Sequence, residues 1–116
     1  MNWKLKKFNE LANEELYSIL SLRCEVFIVE QNCPYLDTDS KDYYSHHLLG
    51  YVNEDLAAYS RLVFPNISYK EVSIGRVVTS PKYRRKELGK LLMQKSIEEI
   101  EKIYGKRLRE LTRDFG

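Results

Sequence analysis

The sequence predicts a single α/β domain with a largely antiparallel sheet and flanking helices, and three observations favour that prediction. A length of 116 residues suits one domain with a core of modest size. Several stretches alternate apolar and polar residues as strands do, and two stretches repeat apolar residues at helical spacing. No internal repeat, low-complexity segment or Gly/Ser linker divides residues 1–116.

The N-terminal part predicts a short strand and a helix. Trp3 and Leu5 alternate with polar neighbours, which indicates a strand. Asn13 suits the N-cap of a helix. The apolar positions of that helix recur at helical spacing: Leu16, Ile19, Leu20, Cys24 and Phe27. On this face Cys24 is expected to be a small buried residue, and an acidic loop from Glu30 to Asp42 follows.

The remaining pattern predicts a hairpin, a third central strand and a long helix. Residues 47–52 and 56–64 flank a turn at 53–55, and residues 72–79 make the next strand. The long helix ends near Gly105. It presents one apolar face: Leu88, Leu91, Leu92, Ile97, Ile100 and Ile103. The two helices pack on opposite faces of the sheet or together on one face, and the pattern leaves both arrangements open.

A basic turn separates the third central strand from the long helix. It carries Lys82, Arg84, Arg85 and Lys86, and the first turn of the helix offers free N–H groups that favour an anion. A solvated loop has the same composition. The turn alone therefore leaves a phosphate site and a simple solubility loop equally open.

The residue order of this turn resembles motif A of the GNAT superfamily of acetyl-CoA-dependent acetyltransferases. In that motif Gln/Arg-x-x-Gly-x-Gly/Ala follows a strand and opens a helix. Arg84 and Gly89 match its two ends, whereas Glu87 replaces the middle glycine. Further stretches resemble the ElaA-like branch of the superfamily in the same order, and the resemblance runs from about residue 10 to about residue 104. They are residues 22–37, Asp39, Asp42, 47–51, 56–61 and 74–78.

The resemblance implies a GNAT fold, acetyl-CoA as co-substrate, and acetyl transfer to a small-molecule or peptide amine. By position in the motif, Val77, Val78 and Thr79 border the pantetheine and the acetyl group. The residues implied around the pyrophosphate are Arg84, Arg85, Lys86, Glu87, Leu88, Gly89 and Lys90. Most of these contacts use main-chain donors, which tolerate a side-chain change such as Glu87.

The proton acceptor for the amine has three candidates: Glu30, His47 and Glu71. Each also has a structural interpretation, as an ion pair, a hydrogen bond within the hairpin, or a solvated strand end. Three arginines fall in the motifs that resemble the family: Arg23, Arg61 and Arg76. They line the acceptor side or hold the acidic loop, and the second role is favoured.

The resemblance stops before the end of the family pattern. After the motif A helix, the family normally supplies a further strand, a helix with a Tyr that protonates the leaving thiolate, and a closing hairpin. Residues 106–116 place Leu108, Leu111 and Phe115 at helical spacing and offer no counterpart of that Tyr. The expectation is an incomplete GNAT fold, with residues 1–105 matching and 106–116 divergent.

Two explanations stay open for that end. The chain is truncated or out of frame, or its native end is short and a partner completes the sheet, with an unpaired edge that invites a homodimer. A CoA-binding but inactive remnant is the alternative to an active acetyltransferase. In either case poor turnover is expected of residues 1–116 alone.

Composition argues against several other classes. A net charge of +2 is too near balance for a nucleic-acid protein, and no apolar run is long enough to cross a bilayer, so a cytoplasmic protein is expected. Cys24 and Cys33 lack the partners of a zinc site, and no metal site is predicted. The acidic stretch from Asp37 to Asp42 suits a cationic acceptor or a solvated loop, which leaves the acceptor open.

Overall fold

A computed structural model of the protein describes residues 1–84 and 86–105. The sheet has four antiparallel strands in the order β1-β2-β3-β4, and the predicted α/β architecture is confirmed. The strands are β1 Asn2–Lys7, β2 Ser45–Val52, β3 Asp55–Val63 and β4 Ser73–Thr79, and the helices are α1 Asn13–Arg23 and α2 Lys86–Tyr104. The predictions for Arg85, for the Lys86 side chain and for residues 106–116 lie outside the described residues, and the division at residue 105 stays a prediction.

The two helices cover opposite faces of the sheet. On one face α1 packs against Leu49 and Tyr59, and on the other α2 packs against Leu48 and Ala58. Successive residues of a strand point to opposite faces, so these neighbouring pairs place the helices on either side. Of the two arrangements that the sequence left open, the structure has the first.

Helix α1 differs from the prediction at both ends. Asn13 is the first helical residue and Ala12 precedes it as the N-cap. The Ala12 N–H is satisfied by the Glu15 carboxylate at 2.7 Å. At the other end α1 continues into a π-helical segment, Cys24–Glu30. Cys24 is exposed, and the prediction of a buried Cys24 is wrong because the helical period on which it depended changes at that residue.

The hairpin and the strand that follows it are confirmed. The hairpin turn places Asn53 at φ 55°, in the left-handed region that Asn tolerates. β2 and β3 pair along their length, and β4 then adds to β3. The sheet edge formed by β4 lies beside the start of α2, and this arrangement positions the site described below.

Helix α2 ends as predicted, with Gly105 at φ 99° directly after Tyr104. Its predicted apolar face is partly wrong, since Leu91 and Ile103 are 40% and 42% exposed. The fully buried side chains follow an i, i+4 row, and Met93 and Ile97 pack beside that row, partly buried. That row is Leu88, Leu92, Ser96 and Ile100, all buried.

Candidate active site

The open side of β4 offers main-chain groups to a ligand. Within the described residues β4 pairs with β3 alone. The Ser80 N–H donates to the Ala57 carbonyl at 2.8 Å. Because hydrogen-bonded and non-hydrogen-bonded pairs alternate in an antiparallel ladder, the neighbouring Thr79 directs its N–H and C=O away from β3, toward the open edge.

A β-bulge interrupts β4 at Arg76. The register between β3 and β4 shifts so that Arg76 and Val77 together lie opposite Ser60. Arg76 has φ 50°, in the left-handed region. A bulge bends the strand and increases its twist, so this edge is poorly shaped to accept a straight strand from a second copy.

The start of α2 leaves room for a ligand beside its first turn. Leu88 is 4% exposed and fixes this turn against the sheet, whereas Glu87 is exposed. Among the described residues, and apart from the backbone of α2 itself, a Cβ atom added at Gly89 would meet no heavy atom within 4 Å. The first N–H groups of a helix lack internal partners and favour an anion, and the phosphate site predicted at this open position stays a prediction.

An ion pair joins the π-helical segment to the basic turn. Arg84 Nη1 and Nη2 donate to the two Glu30 carboxylate oxygens at 3.1 and 3.0 Å. Arg84 Nη2 also donates to the Thr79 carbonyl at 3.4 Å. Glu30, a candidate proton acceptor, therefore lies at the open edge of β4, where it pairs with a cation of the basic turn.

His47 is enclosed in the core. Its Nε2 donates to the Asp42 carbonyl at 2.9 Å, and this assigns Nδ1 as the acceptor of the Tyr59 hydroxyl at 2.6 Å. Burial lowers the pKa of His47, because a charged imidazolium would lose its hydration, and the hydrogen bond and charge of Asp42 only partly oppose that effect. The imidazole is neutral and both nitrogens are occupied, which favours the structural interpretation of His47.

Glu71 lies far from Glu30. It comes just before β4 begins at Ser73, whereas the Glu30 and Arg84 pair contacts Thr79 at the other end of that strand. At about 3.3 Å per residue the strand separates its two ends by about 20 Å. The structure therefore does not bring the three candidate bases together, and only Glu30 lies beside the predicted cofactor edge.

The three arginines of the motifs bind the acidic loop, as the favoured interpretation predicted. Arg23 is completely buried, and its Nε and Nη1 contact Asp37 and Asp42, each at 2.7 Å. The other pairs extend this contact into one network. Arg61 pairs with Asp39 and Asp42, and Arg76 pairs with Asp37 and Asp39.

The positive charges of the arginines balance the negative charges of the carboxylates in this network. Partial burial alone would raise the pKa of Asp39, but the hydrogen bond and charge of Arg61 lower it to about 2. Asp37 and Asp42 are only 4% and 7% exposed. The acidic stretch is thus neither a solvated loop nor a free negative surface for a cationic acceptor.

A pocket of about 400 Å³ wraps around the open edge of β4 at the bulge. Its walls come from the π-helical segment, the following loop, β4 and α2. The residues that line it are Phe27, Tyr35, Ile74, Gly75, Arg76, Val77 and Met93. Val77 belongs both to this pocket and to the strand predicted to border the acetyl group, so the pocket adjoins the predicted reaction centre.

Sequence analysis missed this pocket, because no motif marks it. Phe27 was assigned to the core, and Tyr35 and Met93 were given no role. The pocket forms because the bulge and the π-helical segment bring these distant side chains together. A run of seven residues with π-helical geometry is unusual and often marks a functional site. The amino-acid composition of this segment does not predict that geometry.

The described residues contain no group of three or more His, Cys, Asp and Glu side chains placed to hold a metal ion. Among the helices in the described part of the chain, none combines the length and the apolar character that a bilayer crossing requires.

Comparison with known proteins identifies the class of this fold. Crystal structures of an acyl-CoA N-acyltransferase from Pseudomonas aeruginosa and of ElaA from Escherichia coli superimpose with TM-scores of 0.85 and 0.84, at 40% and 39% identity. Both alignments cover 90% of this chain, and they cover 73% and 72% of the two structures. The architecture is therefore that of an acyl-CoA N-acyltransferase.

The family follows from the sequence. Residues 9–114 match the Acetyltransferase (GNAT) family, and this chain belongs to it. The chain is 45% identical over 104 residues to a UPF0039 protein of Synechocystis, and 41% identical over 100 residues to E. coli ElaA. These alignments cover 85% and 84% of this chain but 68% and 65% of the relatives, so the chain spans about two thirds of their length.

Proposed function

We propose that this protein binds acetyl-CoA along the open edge of β4 and transfers the acetyl group to an amine. The observation that carries the proposal is the junction of that edge with the first turn of α2. The pantetheine arm would lie beside Val77, Val78 and Thr79, with the outward Thr79 N–H and C=O as partners. The pyrophosphate would lie at the segment from Arg84 to Lys90, where helix N–H groups and basic side chains favour negative charge.

The reaction requires the thioester, the amine and a proton acceptor to be held together. The neutral amine nitrogen attacks the thioester carbonyl carbon, the C–N bond forms, and the C–S bond breaks as the thiolate leaves. The amine loses one proton to a base and the thiolate of CoA takes up a proton. Binding both reactants side by side supplies part of the rate advantage, because it removes the entropy cost of a bimolecular encounter.

Glu30 is the proposed proton acceptor, acting directly or through one water molecule. It is the one candidate that lies at the open edge, 3.0 Å from an Arg84 nitrogen that also contacts Thr79. A phosphate that draws Arg84 away would release the Glu30 carboxylate toward the cleft. Cofactor binding would thus free the base at the place where it is needed.

Two substitutions at Gly89 test the cofactor site. Among the described atoms outside its own helix backbone, a Cβ at this position meets none within 4 Å, so both variants should fold. Gly89→Glu places bulk and negative charge beside the phosphates and should weaken CoA binding by tenfold or more in calorimetry. Gly89→Ala is the matched control and should bind as wild type does, because the family motif accepts Ala at this position. Equal CoA affinity of wild type and Gly89→Glu would remove the site assignment.

Activity separates the two functional alternatives. Release of free thiol from acetyl-CoA, measured with a panel of amines, would support the acetyltransferase. CoA binding that persists while thiol release stays at the uncatalysed background would support a cofactor-binding protein without turnover. The absence of CoA binding in wild type would contradict both.

A further inference from the structure

A cluster of three side chains joins the basic turn to the hairpin. The Tyr83 hydroxyl donates to the Asp55 carboxylate, and Lys82 Nζ lies 3.3 Å from the same carboxylate oxygen. Asp55 is the first residue of β3, which pairs with both β2 and β4. The cluster therefore lies on the β3 side of the turn, and it does not depend on the edge of β4 that is open in the described residues.

The rest of Tyr83 is also held in place. It is partly buried against the core cluster that includes Ala57 and Leu88, and Leu88 belongs to the first turn of α2. The main-chain N–H of Tyr83 donates to the Ser80 carbonyl at 3.0 Å, and the Ser80 N–H donates in turn to Ala57. Tyr83 thus connects the start of β3, the basic turn and the first turn of α2.

Carboxylates hold the basic turn from two sides. Asp55 pairs with Lys82 on the hairpin side, and Glu30 pairs with Arg84 on the side of the π-helical segment. Asp55 also accepts a hydrogen bond from a neutral donor. That bond from Tyr83, together with the bond and charge of Lys82, lowers the pKa of Asp55. An anion that draws Lys82 away would therefore leave Asp55 still bound to the turn through Tyr83.

We propose that Tyr83 is a positioning residue for the cofactor. Its hydroxyl, held by Asp55, fixes the turn between β4 and α2 and so keeps the first N–H groups of α2 directed at the pyrophosphate. The inference rests on the proposed binding of CoA, and it names a side chain that shapes the site without contacting the ligand. When the hydroxyl is absent, the turn samples other arrangements, and the apparent affinity falls with the fraction that stays competent to bind.

Tyr83→Phe tests this role, because it removes the hydroxyl and keeps the ring. Calorimetry should show CoA binding about twofold to tenfold weaker than in wild type, since one hydrogen bond corresponds to a ratio of that size. The dependence of affinity on salt should stay as in wild type, because no charge changes. Tyr104→Phe is the matched control, since it removes a hydroxyl from a partly buried ring at the far end of α2, and its CoA affinity should equal that of wild type. Equal CoA affinity in wild type and Tyr83→Phe would overturn the proposal.

Two substitutions at Asp55 separate positioning from charge. Both remove the negative charge, but Asp55→Asn keeps a carbonyl oxygen that accepts the Tyr83 hydrogen bond, whereas Asp55→Ala has no acceptor. Asp55→Asn should therefore bind CoA about twofold to tenfold more tightly than Asp55→Ala. The difference should disappear in the Tyr83→Phe background, because the two partners of one contact are not additive. A difference that persists in that background, or equal binding by the two variants when Tyr83 is present, would refute the role of this contact.

The outcomes distinguish this inference from the proposed function. If wild type binds CoA, Gly89→Glu loses that binding and Tyr83→Phe keeps it in full, only the positioning role is refuted. If wild type does not bind CoA, the proposed function fails and this inference fails with it.

Discussion

Replacing Glu30 by Gln should raise the affinity of the protein for CoA. The Arg84 guanidinium is held by both oxygens of Glu30 and contacts the Thr79 carbonyl. A pyrophosphate at the start of α2 must compete with that carboxylate for the same cation. Glu30→Gln keeps the size of the side chain, removes its charge and so removes the competitor.

The size of the effect follows from the exposure of the pair. The side chains of Arg84 and Glu30 are 44% and 41% exposed, and ion pairs of that kind contribute about 0.2–1 kcal/mol. Freeing Arg84 should therefore tighten CoA binding by about 1.5-fold to fivefold. The gain should shrink as salt is raised, because ions screen charges at the surface.

Calorimetry with CoA at low and high salt measures this gain, and Glu25→Gln is the matched control. Glu25 is exposed in the same π-helical segment and makes no ion pair within the described residues. It reports the general effect of removing one negative charge near an anionic ligand. If Glu30→Gln binds CoA no more tightly than Glu25→Gln does, the competition between Glu30 and phosphate is refuted.

Turnover should change in the opposite direction to affinity. The proposal makes Glu30 the acceptor of the amine proton, and Gln cannot take that role. In any acceptor assay that gives turnover, Glu30→Gln should bind cofactor more tightly and release thiol more slowly. A purely structural role for Glu30 would not separate the two quantities in this way.

Two further predictions concern stability. Gly50→Ala would bring its Cβ to 2.5 Å from the Trp3 ring. Thermal or urea unfolding should show that this variant loses about 1–3 kcal/mol of unfolding free energy. Gly75→Ala is the control and should show none of that loss, because its Cβ meets no described atom within 4 Å. Arg61 lowers the pKa of Asp39 from 3.8 to about 2, so the resulting stabilisation is complete above pH 4 and disappears as pH falls toward 2. Asp39→Asn should therefore lose less unfolding free energy than wild type over that acid range, and an equal loss would contradict the assignment.

Local patterns predicted the elements of this fold because each pattern depends on neighbours in sequence. The hairpin around Asn53 and the end of α2 at Gly105 follow from turn and cap chemistry that a few residues specify. The same locality explains the errors. The helical spacing failed at Cys24, where the period changes to that of a π-helix, and the α2 stripe is narrower than the residue types alone indicate.

The candidate site was harder to predict because its contacts join distant parts of the chain. Arg76 and Asp37 are 39 residues apart, and Arg84 and Glu30 are 54 residues apart. Motif resemblance named the arginines, the turn and Glu30 separately. It did not indicate which carboxylate each cation would contact, because that choice depends on how the π-helical segment and the acidic loop pack against β4.

The bulge at Arg76 connects the buried arginine network to the proposed cofactor edge through one strand. A residue at φ 50° strains a non-glycine backbone, and Arg76 is held there by Asp37, which the fully buried Arg23 also grips. The next residues, Val77 to Thr79, form the proposed cofactor edge. A change that loosens Asp37 would therefore allow Arg76 to leave the bulge and would alter the direction of the Thr79 main chain. The buried arginine network would therefore hold the proposed cofactor edge in position.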